Sequence, residues 1–300
     1  MKKVLVIVVT YNGMQWIERC LSSVIGDARS GPGMTCDVYV WDNDSTDGSA
    51  EYVEAHFPQA KLVRSAENLG FSKPNNKGME YALEHGYDYV YLLNQDAWLE
   101  EGALEKLVAA AEAHPEYGIL SPLQMTDGYK GLDYQFEKRL PVKPAMTTPP
   151  TPSCPAPTGH LIDVEFVMAA HWLVRVSAIR SIGLFNEDLF PHWGQDDDWC
   201  QRLRYIGLKI GVLPSARAVH DRALRDEPLE KLVKRNYYTA SLLRLVNPLR
   251  PLWMQILYVL LFTLVKSVKY RSLLPFKYLR TIAGQSESIR KHRALVRMRA

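Results

Sequence analysis

Over its first 114 positions the chain alternates short apolar runs with longer stretches in which apolar residues recur every three or four positions. Residues 4–9 form a β-branched run of the kind expected of a strand covered on both faces. Residues 16–25 place Trp16, Cys20, Leu21 and Val24 on one side of a helix. A second strand is predicted at 37–41, a helix at Ser49–His56, a short strand at Lys61–Arg64 and a helix at 75–85. A strong strand at 87–93 and an Ala/Glu/Leu-rich helix at 101–114 complete the series. This βαβαβαβα alternation predicts an α/β fold with a doubly wound, mostly parallel sheet, in which ligands bind beyond the carboxyl ends of the strands.

Seven prolines (Pro141, Pro144, Pro149, Pro150, Pro152, Pro155 and Pro157) then break the pattern, as in an insertion or acceptor-side flap. Strand-like segments resume at 164–168 and 172–176, and again at 210–213. Residues 252–265 are fourteen positions with only Gln255 and Thr263 polar. A membrane span needs about twenty, so this segment is expected to be a buried or interfacial helix.

Charge changes the picture more than composition does. The net charge is only +3, yet residues 231–300 hold fifteen Lys/Arg and one acid, Glu287. An acidic body (1–230) with a basic helical extension (231–300) predicts an anionic partner for the extension, against the plainer alternative of a solvated basic helix. The four cysteines are scattered, which argues for a reducing cytoplasm and against a structural zinc site. The apolar run after Met1-Lys2-Lys3 is short and lacks a small-residue cleavage site, so it reads as a first strand rather than a signal peptide.

The chemistry-bearing residues cluster at the predicted strand ends. Thr10-Tyr11-Asn12 follows the first strand, and Asp42 opens the acid-rich turn after the second. A carboxylate there can accept hydrogen bonds from a uracil or thymine N–H or a ribose hydroxyl. An Asx turn with Asp47 near a helix N-cap accounts for only part of that acid density. In residues 67–78, Gly70 permits close backbone approach, Asn68 lies beside it, and Asn75 or Asn76 can cap the next helix. Asp96 is delivered by the strongest strand, a metal-ligand placement for Mg²⁺ or Mn²⁺ on a diphosphate. In Trp193-Gly194-Gln195-Asp196-Asp197-Asp198, three adjacent carboxylates repel one another, so capping explains one at most. A crowded acid has a raised pKa and can act as a general base. Asp198 stands at helical spacing from Arg202, and His220 follows the strand at 210–213.

Taken together, VIVVTYNG (6–13), WDNDSTDGS (41–49), ENLGFSKPNNKG (67–78), LLNQDAWL (92–99), IGLFNEDLF (182–190), GQDDDWCQRLRYIG (194–207) and AVHD (218–221) resemble the inverting glycosyltransferases of family 2 over roughly residues 4–222. The resemblance implies the GT-A fold and transfer from a UDP- or dTDP-sugar to a glycan or lipid-linked hydroxyl in bacterial surface polysaccharide synthesis. Under it, Asp42 contacts the pyrimidine, and Thr10, Tyr11, Asn12, Asn68, Gly70 and Asn76 line the nucleotide site. Asp96 and His220 serve the metal and diphosphate, and Asp196 is the catalytic base. Trp193, Gln195, Asp197 and Asp198 meet the donor or acceptor sugar.

Two positions depart from the family pattern. Asn94 replaces the first acid of the DXD-type motif, a substitution that resembles bacterial rhamnosyltransferases, and Gln195 replaces the acid before the base. These departures leave open a degenerate sugar-nucleotide-binding subunit. A sugar-phosphate nucleotidyltransferase would instead open with a Gly-rich, basic loop, and here Thr10-Tyr11-Asn12-Gly13 stands in its place. The extension predicts peripheral contact of 246–300 with the inner face of the cell membrane. No nucleic-acid partner is expected, because leucines interleave the basic residues and no nucleic-acid motif is present.

Overall fold

The computed structural model describes residues 1–25, 33–129, 131–141, 160–221 and 228–299. Most of the proline-rich insertion, 142–159, lies outside the described residues. The strands are β1 (Lys2–Thr10), β2 (Met34–Asp42), β3 (Lys61–Arg64), β4 (Tyr89–Asn94), β5 (Ala97–Leu99), β6 (Tyr117–Met125), β7 (Ile162–Val164), β8 (His171–Arg175) and β9 (Lys209–His220). They form one nine-stranded sheet in the order β3-β2-β1-β4-β8-β6-β9-β5, with β7 paired to β9. The first four strands in that order are parallel. β8 runs antiparallel to both β4 and β6, while β9 is parallel to β6 and antiparallel to β5 and β7. The sheet is therefore mixed, with its parallel half at the N-terminal side.

The parallel half is crossed over by α1 (Met14–Ser22), α2 (Ser49–His56) and α3 (Ser72–Glu84). Next come α4 (Ala103–Ala113), the single turn α5 (Tyr134–Glu137), α6 (Val176–Ile182) and α7 (Gln195–Tyr205). β1 shows why its sequence reads as a continuous apolar run: Leu5 and Ile7 enter one core cluster and Val4, Val6 and Val8 enter the other, on the opposite face. Register then fixes the functional edge, because Thr10 pairs with Asp42 across β1 and β2, and Val9 with Asn94 across β1 and β4. Three strands thus end level, each followed by one of the polar motifs.

Two expectations change. Residues 165–168 are not strand; the pairing segment is β7, which stops at Val164. β6 is buried along all nine residues, although Ser121, Pro122 and Gln124 interrupt its apolar pattern. Gln124 Nε2 donates to Ser121 Oγ and to the Met168 carbonyl, and Pro122 sits at a register shift against β9, where a missing N–H is tolerated.

The basic extension is a helical layer. α8 (Leu229–Val233) passes through a π-helical stretch, Lys234–Thr239, into α9 (Ala240–Val246), followed by α10 (Leu252–Tyr270), α11 (Leu274–Gly284) and α12 (Ser286–Arg299). Leu242, Leu245, Val246, Val259, Ile282 and Ile289 form one apolar cluster with Leu189 and Phe190 of the preceding body. The predicted fourteen-residue apolar segment is a nineteen-residue helix, the one among the described residues long and apolar enough to cross a membrane by length and composition. One side of it packs on the layer through Gln255, Val259 and Thr263, with Thr263 hydrogen-bonded to Tyr237. Its other side exposes Trp253, Leu257, Leu261, Leu264, Val265 and Val268.

Candidate active site

The nucleotide end of the functional edge is a frame of side-chain amides. Thr10 is fully buried, and its hydroxyl donates to Gln95 Oε1 at 2.8 Å, as does the Tyr11 amide. Gln95 Nε2 returns a bond to the Tyr11 carbonyl. Asn12 adopts φ 47° and is held to the second turn: its amide donates to Ser45 Oγ, and its Oδ1 accepts from the Thr46 amide. Asp47 accepts from the Met14 amide and from Ser49. Burial raises its pKa, but these bonds outweigh burial and hold the carboxyl below its ordinary range. Tyr11 remains exposed at this edge.

Asp42 is different in kind. It is 3% exposed, its Oδ2 accepts the Ser45 amide at 3.1 Å, and its Oδ1 is buried without a hydrogen-bond partner. A buried carboxylate oxygen without a donor is costly, and a ligand N–H or O–H would satisfy it. Next to it, Asn43 builds the third loop: its Nδ2 donates to Asn68 Oδ1 and the Gly70 carbonyl, and its Oδ1 accepts from Leu69.

Gly70 has φ 79°, and a Cβ there would stand 2.8 Å from the Pro191 carbonyl oxygen. Its close approach is therefore to the chain at 191–192. The Phe71 and Ser72 amides both donate to that carbonyl, and the Ser72 hydroxyl donates to the Phe190 carbonyl. Asn76 is buried, bonding Phe185 through both ends of its amide and Glu187 through Nδ2, so its side chain is committed to the fold. Residues 67–78 thus fasten the first half of the molecule to the segment that precedes α7.

At the end of β4, Asp96 Oδ1 lies 3.4 Å from His220 Nε2, and His220 Nδ1 is buried without a partner. The pairing of Ala97 with His220 across β5 and β9 brings the two together from 124 positions apart in sequence. One carboxylate beside one imidazole fits a divalent cation whose remaining ligands come from substrate phosphates and water. Among the described residues no third His, Cys, Asp or Glu completes a protein-only metal cage.

α7 begins at Gly194, whose φ of 92° and contact with Thr239 and Phe190 leave no room for a Cβ. Burial pushes the Asp196 carboxyl up, against the hydrogen bonds from the Asp197 and Ala169 amides. Burial also pushes Asp197 up to about 7, helped by the charges of Asp196 and Asp198 and opposed by Arg139. The two adjacent carboxyls interact, so each resists ionisation while the other is charged. Ala169 is adjacent to Ala170, whose carbonyl accepts the Asn94 amide, so the same turn touches the Asp196 carboxyl and the end of β4.

Asp198 is turned into the protein. It is fully buried, with Arg202 Nε 2.9 Å from Oδ2 and His292 Nε2 2.8 Å from Oδ1. Burial raises its pKa, but Arg202 and His292 hold it below the ordinary range. The helical pairing with Arg202 is as expected, while the place expected at a bound sugar is occupied by protein. Gln195 is 6% exposed with Oε1 unpartnered, and Trp193 carries Lys231 Nζ 5.8 Å from its ring centroid. Sequence reasoning did not reach Asn43, Gln95 or His292. The first two lie inside the motifs and could have been found by asking what holds each loop; His292 carried no signal.

Residues 5–167 match the Glycosyl transferase family 2 model. The chain is 28% identical over 239 residues to the N-acetylglucosaminyl-diphospho-decaprenol L-rhamnosyltransferase of Mycobacterium tuberculosis, covering 73% of this chain and 76% of that protein. It is 23% identical over 242 residues to the dTDP-rhamnosyl transferase RfbF of Shigella flexneri, covering 77% and 75%. Among solved structures it resembles S. aureus TarS 1–349, with TM-score 0.57, 19% identity, and 85% and 68% coverage. It also resembles the mannosyltransferase PcManGT from Pyrobaculum calidifontis, solved with GDP-Man and Mn²⁺, with TM-score 0.54, 18% identity, and 99% and 85% coverage. These likenesses show the GT-A-type fold, and the matched family supplies the identity: the chain belongs to glycosyl transferase family 2 and is a glycosyltransferase that uses a nucleotide sugar.

Proposed function

We propose that the protein transfers a sugar, with inversion, from a dTDP- or UDP-linked donor to a hydroxyl of a lipid-linked glycan. The observation that carries this reading is the unpartnered, buried Oδ1 of Asp42 at the end of β2. Thymine and uracil present an imide N–H that an acceptor-only carboxylate can receive, whereas the corresponding ring nitrogen of cytosine is an acceptor. Two relatives transfer rhamnose and one of them is named for the dTDP-linked sugar, which makes dTDP-rhamnose the first donor to test. Tyr11 and Asn12 line the base, with Thr10, Asn68 and Gly70 shaping the loops around it.

Asp96 and His220 would hold Mg²⁺ or Mn²⁺ on the donor diphosphate, where the cation would neutralise developing charge. Asp196 takes the proton of the acceptor hydroxyl as its oxygen bonds to the anomeric carbon. The bond to the diphosphate breaks with its electron pair leaving on the diphosphate oxygen. Burial sets the basicity of Asp196, the Asp197 carboxyl shares its surroundings, and Trp193 and Gln195 face the sugars. Residues 1–230 act as the catalytic domain and 231–300 as its helical extension.

The exposed apolar side of α10 and the cationic extension support docking on an anionic membrane from the cytoplasmic side. A groove of about 400 Å³ between α9, α10, α11 and α12 is lined by Leu252, Ile256, Leu279 and Ile289, with Arg290 on its lining. It suits the apolar chain of a lipid carrier.

The test is release of dTDP or UDP from a panel of their sugars, with Mn²⁺ and with chelator, alongside nucleotide binding by calorimetry. Turnover of at least one sugar, lost on chelation, is expected. Nucleotide binding without turnover of any sugar would mark a degenerate binding subunit and overturn the proposal.

A further inference from the structure

The last helix of the chain reaches the first turn of α7. Ile289, His292, Arg293 and Val296 form the buried stripe of α12, and His292 is the side chain that bonds α7. Its surroundings fix its hydrogen-bond roles. Asn186 Oδ1 accepts the Leu189 amide at 3.0 Å, which orients the Asn186 amide group so that Nδ2 faces His292 Nδ1 at 2.9 Å. Nδ1 is therefore the acceptor, and Nε2–H donates to Asp198 Oδ1. Asp198 Oδ2 receives Arg202 Nε, and the two other guanidinium nitrogens of Arg202 donate to the Ile182 and Leu184 carbonyls at the end of α6.

In this chain of bonds, Asn186 to His292 to Asp198 to Arg202, the last three side chains are buried and Asn186 is half-buried, and each contact has ordinary hydrogen-bond geometry. It spans the loop before α7, the extension, α7 and α6. Arg293 anchors the same helix by donating to the Leu245, Asn247 and Arg250 carbonyls. Asp198 is the neighbour of Asp197 and two positions from Asp196, so whatever orients its carboxylate also orients the turn carrying the other two.

We propose that His292 is a positioning residue for sugar transfer: through its bond to the buried Asp198 carboxylate it sets the orientation of the α7 turn that presents Asp196 and Asp197. This rests on the reading that those two carboxyls serve the acceptor hydroxyl. The basic extension is then part of the catalytic machinery, and the site is incomplete without the last nine residues of the chain. A purely packing role for His292 would be met by any side chain of similar volume. A positioning role requires a donor at the place of Nε2.

The experiment compares full-length His292→Gln, His292→Asn and His292→Leu with the parent. Gln extends an amide N–H to the position of Nε2, Asn stops one bond short, and Leu offers none. Each variant is measured for dTDP release from dTDP-rhamnose, or for UDP or dTDP release from whichever sugar the parent turns over. Nucleotide Kd and Tm are measured alongside. Turnover within about threefold of the parent for His292→Gln is expected, and at least about tenfold lower for His292→Asn and His292→Leu. Nucleotide Kd should stay within about twofold in all folded variants, because the bonds of the nucleotide frame do not involve α12.

If His292→Leu does not fold, the Gln and Asn pair still decides the matter. Equal kcat for those two, or a loss confined to Tm, overturns the proposal and leaves His292 as core packing. A parent that releases no nucleotide diphosphate overturns the transfer reading itself, and the positioning role falls with it. A parent that turns over while the His292 variants match it overturns the positioning role alone.

Discussion

The two ends of the functional edge are assembled in different ways. At the nucleotide end, β1, β2 and β4 finish level because they are neighbours in a parallel sheet. Each loop is braced by the next: Gln95 holds Thr10 and Tyr11, Asn12 holds Thr46, and Asn43 holds Asn68 to Gly70. These three side-chain braces all come from the first 96 residues, and only the start of α3 is tied further on, to Phe190 and Pro191. At the other end, α7 takes its supports from across the chain: Ala169 on Asp196, Ile182 and Leu184 on Arg202, and His292 on Asp198. The first end pre-forms a frame of braced loops around the unpartnered Asp42 oxygen. The second concentrates three carboxyls, buries one in an ion pair and leaves the other two with raised pKa values. A binding site needs a shaped frame, whereas a base needs an environment that resists its charge, and the two ends divide those tasks.

That division can be broken by mutation, with the greatest effect at the α7 end. Asp196→Asn keeps the shape but removes the basicity, and turnover should fall at least about a hundredfold. Nucleotide affinity should stay within a few-fold, since the group acts on the acceptor. Single-turnover transfer set beside calorimetry separates the two. Asp42→Ala should do the reverse, weakening nucleotide binding by about ten- to a hundredfold, the range of a lost hydrogen bond to a charged group. Unchanged Kd for both UDP and dTDP would remove Asp42 from the site.

A subtler change sharpens the α7 end alone. With burial pushing Asp196 up and Asp197 up to about 7, the carboxylate forms are lost as pH falls, so the rate should fall on the acid side of neutrality. Asp197→Asn removes a like charge beside Asp196 and should move that limb to lower pH. An unmoved limb in the kcat/KM profile would mean that the two carboxyls do not interact. The smallest effect on chemistry is expected far from both ends. Trp253→Glu with Leu257→Glu and Leu261→Glu should abolish pelleting with anionic vesicles, since each exposed apolar side chain contributes roughly 1.5–3 kcal/mol when buried. Transfer to a water-soluble acceptor should be unchanged.

The same division explains what could be read from the sequence. Ser49–His56 and Lys61–Arg64 are found where the apolar spacing placed them, and the strand ends carrying Asp42 and Asp96 followed from the βα alternation. Side-chain periodicity is local, and so is the frame it organises. β6 escaped because Ser121, Pro122 and Gln124 are satisfied by partners that exist only once β8 and β9 are in place. The pairing of Asp198 with Arg202 was legible at helical spacing, but the third member, His292, lies 94 positions away in an extension whose basic sequence points to an anionic partner rather than to α7. Gly70 was legible as a close approach, but its partner, Pro191, was not.

A single displacement driven by a carboxylate base inverts the anomeric centre, and the configuration of the product reports it directly. With a donor labelled at the anomeric carbon, NMR of the first-formed product should show one anomer, inverted relative to the donor. A product of retained configuration would require two displacements and would contradict the assignment of Asp196 as a base acting on the acceptor hydroxyl.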